Sequence, residues 1–272
     1  MPSTLGHFDL MLAYPQWQGS GRHEHLRRGA GAAAEICAQF ATRADVPLSQ
    51  DLSDAHGVNR LGALTEQLRN AQEILSHHAP DRVLTAGGDC AVDVAVIDYL
   101  NGIHDGLTVI WIDAHLDANT PQTSPSGNFH GMPVSAIMGR APESIQALLH
   151  NPIAPDRFFY VGAKVGDDGD WAFQRQHKLA MLDAQKRIDG PVHIHFDLDV
   201  LDSGEFPYLA YPEPDGLAIA DAVSLVGRIA AESEIVGLTI TEFAPADDQD
   251  AREGGKVIAR LCEAATLHRR KF

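Results

Sequence analysis

Residues 108–117 read Thr-Val-Ile-Trp-Ile-Asp-Ala-His-Leu-Asp. The first half is an unbroken run of β-branched and aromatic residues, too short for a helix and without the alternation of a half-exposed strand. Such a run fits a strand covered by helices on both faces, and the polar half then falls beyond its carboxyl end. Comparable runs occur at 8–14, 82–86, 158–161, 192–196 and 236–241. Between them, apolar residues recur at helical spacing at about 60–77, 92–101, 143–150, 171–178, 218–231 and 251–267. This alternation predicts βαβ units, hence an α/β fold with a mainly parallel sheet. At 272 residues, with no internal repeat or long linker, the chain reads as a single domain over 1–272. The longest stretches without a predicted element are 118–132 and 202–216. Loops of that length in a compact domain are more often functional than idle.

Apolar residues make up 44% and charged residues 21%, a globular balance that excludes a disordered or low-complexity chain. Asp and Glu number 37 against 21 Lys and Arg, for a formal charge of −16. That surplus repels phosphate backbones and anionic membranes. The basic clusters Arg27-Arg28 and His268-Arg269-Arg270-Lys271 are too short to override it. No nucleic-acid or membrane partner is therefore expected. Three cysteines, Cys37, Cys90 and Cys262, are odd in number and widely spaced, and make no disulfide framework. The first residues lack a basic segment followed by an apolar one, and no run of about 18 apolar residues occurs. A cytoplasmic location is the expectation.

Three strands end in polar residues that packing does not require: Gly87-Gly88-Asp89-Cys90, Asp113-Ala114-His115-Leu116-Asp117, and His195-Phe196-Asp197-Leu198-Asp199-Val200-Leu201-Asp202. In a parallel α/β sheet, ligands bind beyond the carboxyl ends of the strands. If the backbone stays extended there, period two puts Asp113, His115 and Asp117 on one face, and likewise Asp197 and Asp199. Carboxylates brought together without a counter-charge repel and are pushed toward protonation, a conflict that a cation removes. Carboxylates with imidazole suit a hard or borderline divalent ion such as Mn²⁺, and carboxylates can bridge two ions. One Asp at a strand-to-helix junction is an ordinary cap or turn former. The three motifs together are far more specific.

These motifs resemble, in the same order, the three signatures of the arginase, or ureohydrolase, superfamily of binuclear manganese enzymes. The resemblance runs from about Phe8 to the C-terminal helix. It implies a three-layer α/β/α fold, an amidinohydrolase acting on linear amidines, two Mn²⁺ ions, and a homo-oligomer, trimer or hexamer. It makes Asp113 and Asp197 metal-bridging, His115 and Asp199 ligands of one ion, and Asp117 a ligand of the other. The last ligand of that second ion falls on Cys90, where the family has histidine. A thiolate suits Zn²⁺ or Fe²⁺ better than Mn²⁺, so the resemblance implies a site at Cys90 that is weak or empty of manganese. The alternative for Cys90 is a small buried thiol that coordinates nothing. His195 stands where the family has a small residue such as serine; it shares strand parity with Asp197 and is not assigned as a ligand.

The loop after the second motif is crowded with Asn, Ser and Thr, neutral groups suited to binding a carboxylate. It is similar to the arginase loop that grips the amino-acid end of the substrate. That similarity gives Asn119, Ser124, Ser126 and Asn128 this role and makes His130 the proton shuttle. Asp167 matches, more loosely, the family residue for the substrate's α-amino group. Glu242, at the end of the last strand, matches the glutamate that pairs with the guanidinium, a geometrically favoured fork. The implied reaction is attack of a metal-activated hydroxide on the guanidinium carbon, with Asp117, His130 and Glu242 as the catalytic set. The substrate so implied is L-arginine or an Nω-modified arginine, notably Nω-hydroxy-L-arginine. The products are L-ornithine and urea or hydroxyurea. The alternatives are agmatine or another guanidino acid, and a catalytically silent relative that binds an amino acid.

Overall fold

The computed structural model describes residues 8–21, 23–183 and 187–266. The basic cluster His268-Arg269-Arg270-Lys271 and Leu267, the expected end of the last helix, lie outside the described residues. Eight strands form one sheet: β1 (Leu10–Tyr14), β2 (Thr42–Asp45), β3 (Val83–Gly87), β4 (Thr108–Ile112), β5 (Phe158–Val161), β6 (Ala180–Met181), β7 (Pro191–Asp197) and β8 (Glu234–Thr241). Their order is β2-β1-β3-β8-β7-β4-β5-β6, and every neighbouring pair is parallel. The described helices are α1 (His23–Cys37), α2 (Leu61–His78), α3 (Asp93–Ile103), α4 (Pro133–Ser135), α5 (Glu143–Gln146), α6 (Asp168–His177), α7 (Ile219–Glu232) and α8 (Asp248–Ala265). None of them is long and apolar enough to cross a membrane.

Strand alternation divides the core in two. Leu10, Leu12, Val109 and Trp111 face α2 and α3, meeting Leu64, Leu68, Leu75 and Val94. Met11, Ala13, Ile110 and Ile112 face the other way, onto Ala33 of α1, Val226 of α7 and Ile258 and Leu261 of α8. The three-layer α/β/α arrangement with a parallel sheet follows from burying both faces.

The sheet order places the chemistry. The chain runs out from β1 to β2, returns to β3, jumps to β4, runs out to β6, and fills the gap with β7 and β8. The carboxyl ends of β3, β8, β7 and β4 therefore stand side by side where the winding reverses, the position at which α/β sheets bind ligands. One predicted helix is much shorter than its periodicity suggested: 143–150 is helical only over Glu143–Gln146.

Candidate metal centre and substrate cavity

At the end of β3 the chain turns through Gly88 and Asp89 into a 3₁₀ turn, Cys90–Val92. A Cβ on Gly88 would lie 1.8 Å from the Gln16 carbonyl oxygen, so only glycine lets the segment after β1 pack here. Asp89 pins that segment, accepting hydrogen bonds from Gln16 Nε2 (2.9 Å), Gly19 N (2.7 Å) and Ala91 N (3.1 Å). Burial lifts its carboxyl to about 7.

The expectation that the next two motifs stay extended is corrected. β4 ends at Ile112, Asp113 Oδ1 accepts from His115 N (2.6 Å), and Asp117 takes the left-handed conformation at φ 48°. β7 ends at Asp197, whose Oδ1 accepts from Asp199 N (2.7 Å) to cap a 3₁₀ turn, Leu198–Val200. Tight turns closed by the aspartates' own carboxylates bring the groups together, not period two. Asp202, the last acid of the third motif, closes an exposed turn through Gly204 N (2.9 Å).

Two groups of potential ligand atoms result. Cys90, Asp113, His195 and Asp197 each offer one atom within 4.8 Å of the others, and so do Asp113, His115 and Asp199. Asp113 belongs to both. Asp117 belongs to neither, yet its Oδ2 is buried without a hydrogen-bond partner. Cys90 Sγ donates to Asp197 Oδ2 (2.8 Å), His115 Nδ1 lies 2.8 Å from Asp199 Oδ2, and Trp111 Nε1 donates to Asp113 Oδ2 (2.9 Å).

The electrostatics are those of a site built for a cation. Burial raises Asp117, Asp197 and Asp199 above the usual carboxylate range, Asp199 to about 7. Repulsion adds to it, Asp113 acting on Asp117 and Asp199, and Asp199 on Asp197. Burial and then Asp197 push the Cys90 thiol up as well. His115 moves up against its own burial because Asp113 and Asp199 hold its proton. Crowded, buried carboxylates, one with an orphaned oxygen, fit a divalent ion among them.

Above this floor opens a cavity of about 280 Å³. Cys90, His115, Asp197 and Asp199 form its base, His130, Tyr211 and Glu242 one wall, and Asn119, Ser124, Ser126, Asn128 and Asp167 line its mouth. His130 Nδ1 lies 3.5 Å from Glu242 Oε1, and that carboxylate raises the imidazole's pKa against the opposing effect of burial. Glu242 sits at φ 60°, and its Oε2 is buried without a partner. Non-glycine residues in the left-handed region cost energy and persist where the surroundings over-determine them. Asp117 and Glu242 both do so at this site.

The mouth is differently made. Asn119 Nδ2 donates to both oxygens of Asp167 (3.1 and 3.0 Å), and Asp167 in turn caps α6. Ser124 Oγ accepts from Gly127 N, Ser126 Oγ from Asn128 N, and Asn128 Oδ1 from Asn59 Nδ2. Sequence reasoning missed Tyr211, whose ring lies 5.2 Å from that of His130, and Glu213, 3.7 Å from His115 Nε2. Both come from 202–216, and its length was the only signal. It also missed Asp170, which accepts from Ala118 N (2.8 Å) and Asp167 N (3.1 Å) and which burial lifts to about 6.

A parallel sheet with buried acid and imidazole groups at its carboxyl ends defines the class, an α/β protein with a candidate metal site. The chain belongs to the arginase family, whose family model matches residues 24–268. It is similar to the arginase of Staphylococcus aureus strain MRSA252, 28% identical over 187 residues, which are 61% of this chain and 62% of that one. The matched part thus spans less than two thirds of that relative's length. In fold it is similar to Entamoeba histolytica arginase, solved in complex with L-ornithine, with a TM-score of 0.83 and 18% identity over 97% of this chain and 100% of that one. Formimidoylglutamase from Bacillus subtilis also shares the fold, with a TM-score of 0.71 and 17% identity over 95% of this chain and 86% of that one.

Proposed function

We propose that the protein hydrolyses the guanidino group of L-arginine or of an Nω-modified arginine, notably Nω-hydroxy-L-arginine, releasing L-ornithine with urea or hydroxyurea. One juxtaposition carries this reading. The crowded acid floor and the His130–Glu242 pair share a cavity of about 280 Å³ whose mouth is lined by neutral Asn and Ser groups and by Asp167. The L-ornithine bound to the Entamoeba histolytica arginase supports it.

Asp113, His115 and Asp199 would hold one divalent ion, Mn²⁺ on the family's pattern, and Cys90, Asp113 and Asp197 a second. When bound, such ions would make hydroxide available near neutral pH by lowering the pKa of a coordinated water to roughly 7 in favourable cases. Glu242 lines the cavity and has one buried, unpartnered oxygen, and its carboxylate would accept from a guanidinium N–H in a charge-assisted hydrogen bond. Asp117 presents a second unpartnered oxygen that orients the attacking water. His130 keeps its proton because Glu242 outweighs burial, and hands it to the departing amine. Asn119, Ser124, Ser126 and Asn128 bind the substrate carboxylate, and Asp167 its α-amino group.

The test is amine-product release by Mn²⁺-loaded protein, ornithine from L-arginine and Nω-hydroxy-L-arginine and putrescine from agmatine, compared side by side. Turnover of either arginine supports the proposal, and the ratio of the two names the substrate. A preference for agmatine, or no turnover of any of the three by protein that holds its ions, overturns it.

A further inference from the structure

Behind the acid floor lies a buried polar group that the proposed reaction does not use. Asp93, the first residue of α3, has Oδ2 at 2.8 Å from His193 Nε2 and 2.9 Å from His195 Nδ1, and its Oδ1 accepts from Thr239 Oγ1 (2.6 Å). All four side chains are buried. His193 Nδ1 has no partner, which places the proton of that ring on Nε2, facing Asp93. The His195 ring is fixed further, stacked on Trp111 at 3.5 Å and 5° from parallel. With Nδ1 committed to Asp93, its other nitrogen faces away from α3. There Nε2 meets Thr241 Oγ1 at 3.4 Å, and the same hydroxyl lies 3.6 Å from Cys90 Sγ. A histidine whose Nδ1–H is held by a carboxylate presents the Nε2 lone pair, the arrangement that orients metal-binding imidazoles.

We propose that Cys90 and His195, with Asp113 and Asp197, form a mixed sulfur, nitrogen and oxygen site for a borderline ion such as Zn²⁺ or Co²⁺, beside the harder site of Asp113, His115 and Asp199. The four donors already lie within 4.8 Å of one another. Asp93 is the positioning residue, acting through His195. Thiolate and imidazole favour softer ions than carboxylates do, so two sites that share Asp113 differ in preference. The centre is then one of two unlike metals. The inference rests on the metal-dependent reading above and adds the identity of the second ligand set.

The test uses the full chain loaded with Zn²⁺ and Mn²⁺ together, read by metal content and by X-ray absorption at the zinc edge, which sees only the zinc site. The expected result is one zinc and one manganese per chain, with one sulfur at about 2.3 Å and one imidazole around zinc. His195→Gln removes the imidazole signal. Asp93→Asn, which keeps the volume, weakens zinc binding by ~10–100-fold while manganese is retained. Zinc without sulfur, zinc with sulfur but no imidazole, or unchanged affinity in His195→Gln each overturn the proposal. If His195→Gln does not fold, the zinc-edge spectrum of the unaltered protein decides alone. Manganese retained with no sulfur-bound ion sinks this proposal only, whereas no ion bound anywhere sinks the metal-dependent reading with it.

Discussion

The floor and the mouth of the cavity solve opposite problems. On the floor, Asp113 and Asp197 spend one oxygen closing their own turns and the other on Trp111 Nε1 and Cys90 Sγ, while Asp117 Oδ2 is paired to nothing. At the mouth nearly every polar atom ends on a neighbour, as in the Asn119–Asp167 pair and the Ser124 and Ser126 turns. Buried and unpaired carboxylates are costly, while satisfied ones are not. The floor, where buried acids repel one another and one oxygen is orphaned, is where a cation would relieve most. The mouth satisfies its polar groups internally and needs no ion to hold its form. Substitutions on the floor should abolish ion binding and turnover together, and those at the mouth should move KM and stability while the ions stay.

The largest effect is expected at Asp113, the one residue common to both ligand groups. Asp113→Asn should lose both ions, and with them far more activity than the ~10–100-fold typical of an outer partner. Elemental analysis of the purified variant checks this. Two ions retained would break the contrast between floor and mouth at its root.

On the wall, His130→Ala should lower kcat by ~10²–10⁴-fold with metal content unchanged, since its proposed role is proton donor and it belongs to neither ligand group. The sign of the pH effect follows from the upward shift of His130. A raised pKa keeps the imidazole protonated to higher pH, and activity that needs that proton falls as pH rises through it. Glu242→Gln removes the charge that raises it, so the alkaline limb of the kcat/KM profile should move to lower pH. A limb that stays put would mean that His130 is not the group titrating.

What was legible follows the same division. Strands β1, β3, β4, β5, β7 and β8 show as apolar runs because they are buried on both faces. The edge strand β2, Thr-Arg-Ala-Asp, is mostly exposed, and β6 has two exposed residues, so neither carries a hydrophobic signature. Helix α1 was hidden by its glycines. A Cβ on Gly29 would lie 1.7 Å from the Phe243 carbonyl oxygen, so close packing against the end of β8 demands the residue that weakens the helical signal. The floor could be read because Asp, His and Cys carry their chemistry in their type, but the turns that bring them together could not. Asp93 and His195 stand 102 positions apart, and only the fold shows them as a pair.

At the mouth, Asn119→Ala strips Asp167 of its side-chain donor and leaves the Thr123 hydroxyl, 2.9 Å from Asn119 Oδ1, without that acceptor. A loss of ~1–3 kcal/mol in stability is expected, measurable by urea unfolding. KM should rise by about tenfold, one group's worth of binding. Ser126→Ala, whose hydroxyl supports an exposed turn, should stay within ~0.5 kcal/mol. Equal stability losses in the two would show that the mouth is not organised around the Asn119–Asp167 pair.

The smallest effect belongs to Asp170, which touches both regions: it accepts from Ala118 N beside the floor and from Asp167 N at the mouth. Burial lifts its carboxyl from 3.8 to about 6, so between those values the folded protein holds a proton that the unfolded chain has released. Stability must therefore fall as pH rises from about 4 to about 6, and level off above. Asp170→Asn removes this contribution whatever it does to absolute stability. The melting temperatures of wild type and variant, measured from pH 4 to 8 at equal ion loading, should converge or diverge only across that window. Parallel curves would mean that Asp170 titrates at its ordinary value and that the boundary between floor and mouth is wetter than the structure shows. Turnover at pH 8 is expected to be unchanged, because Asp170 is ionised there and its acceptor role is one that the amide oxygen can partly fill.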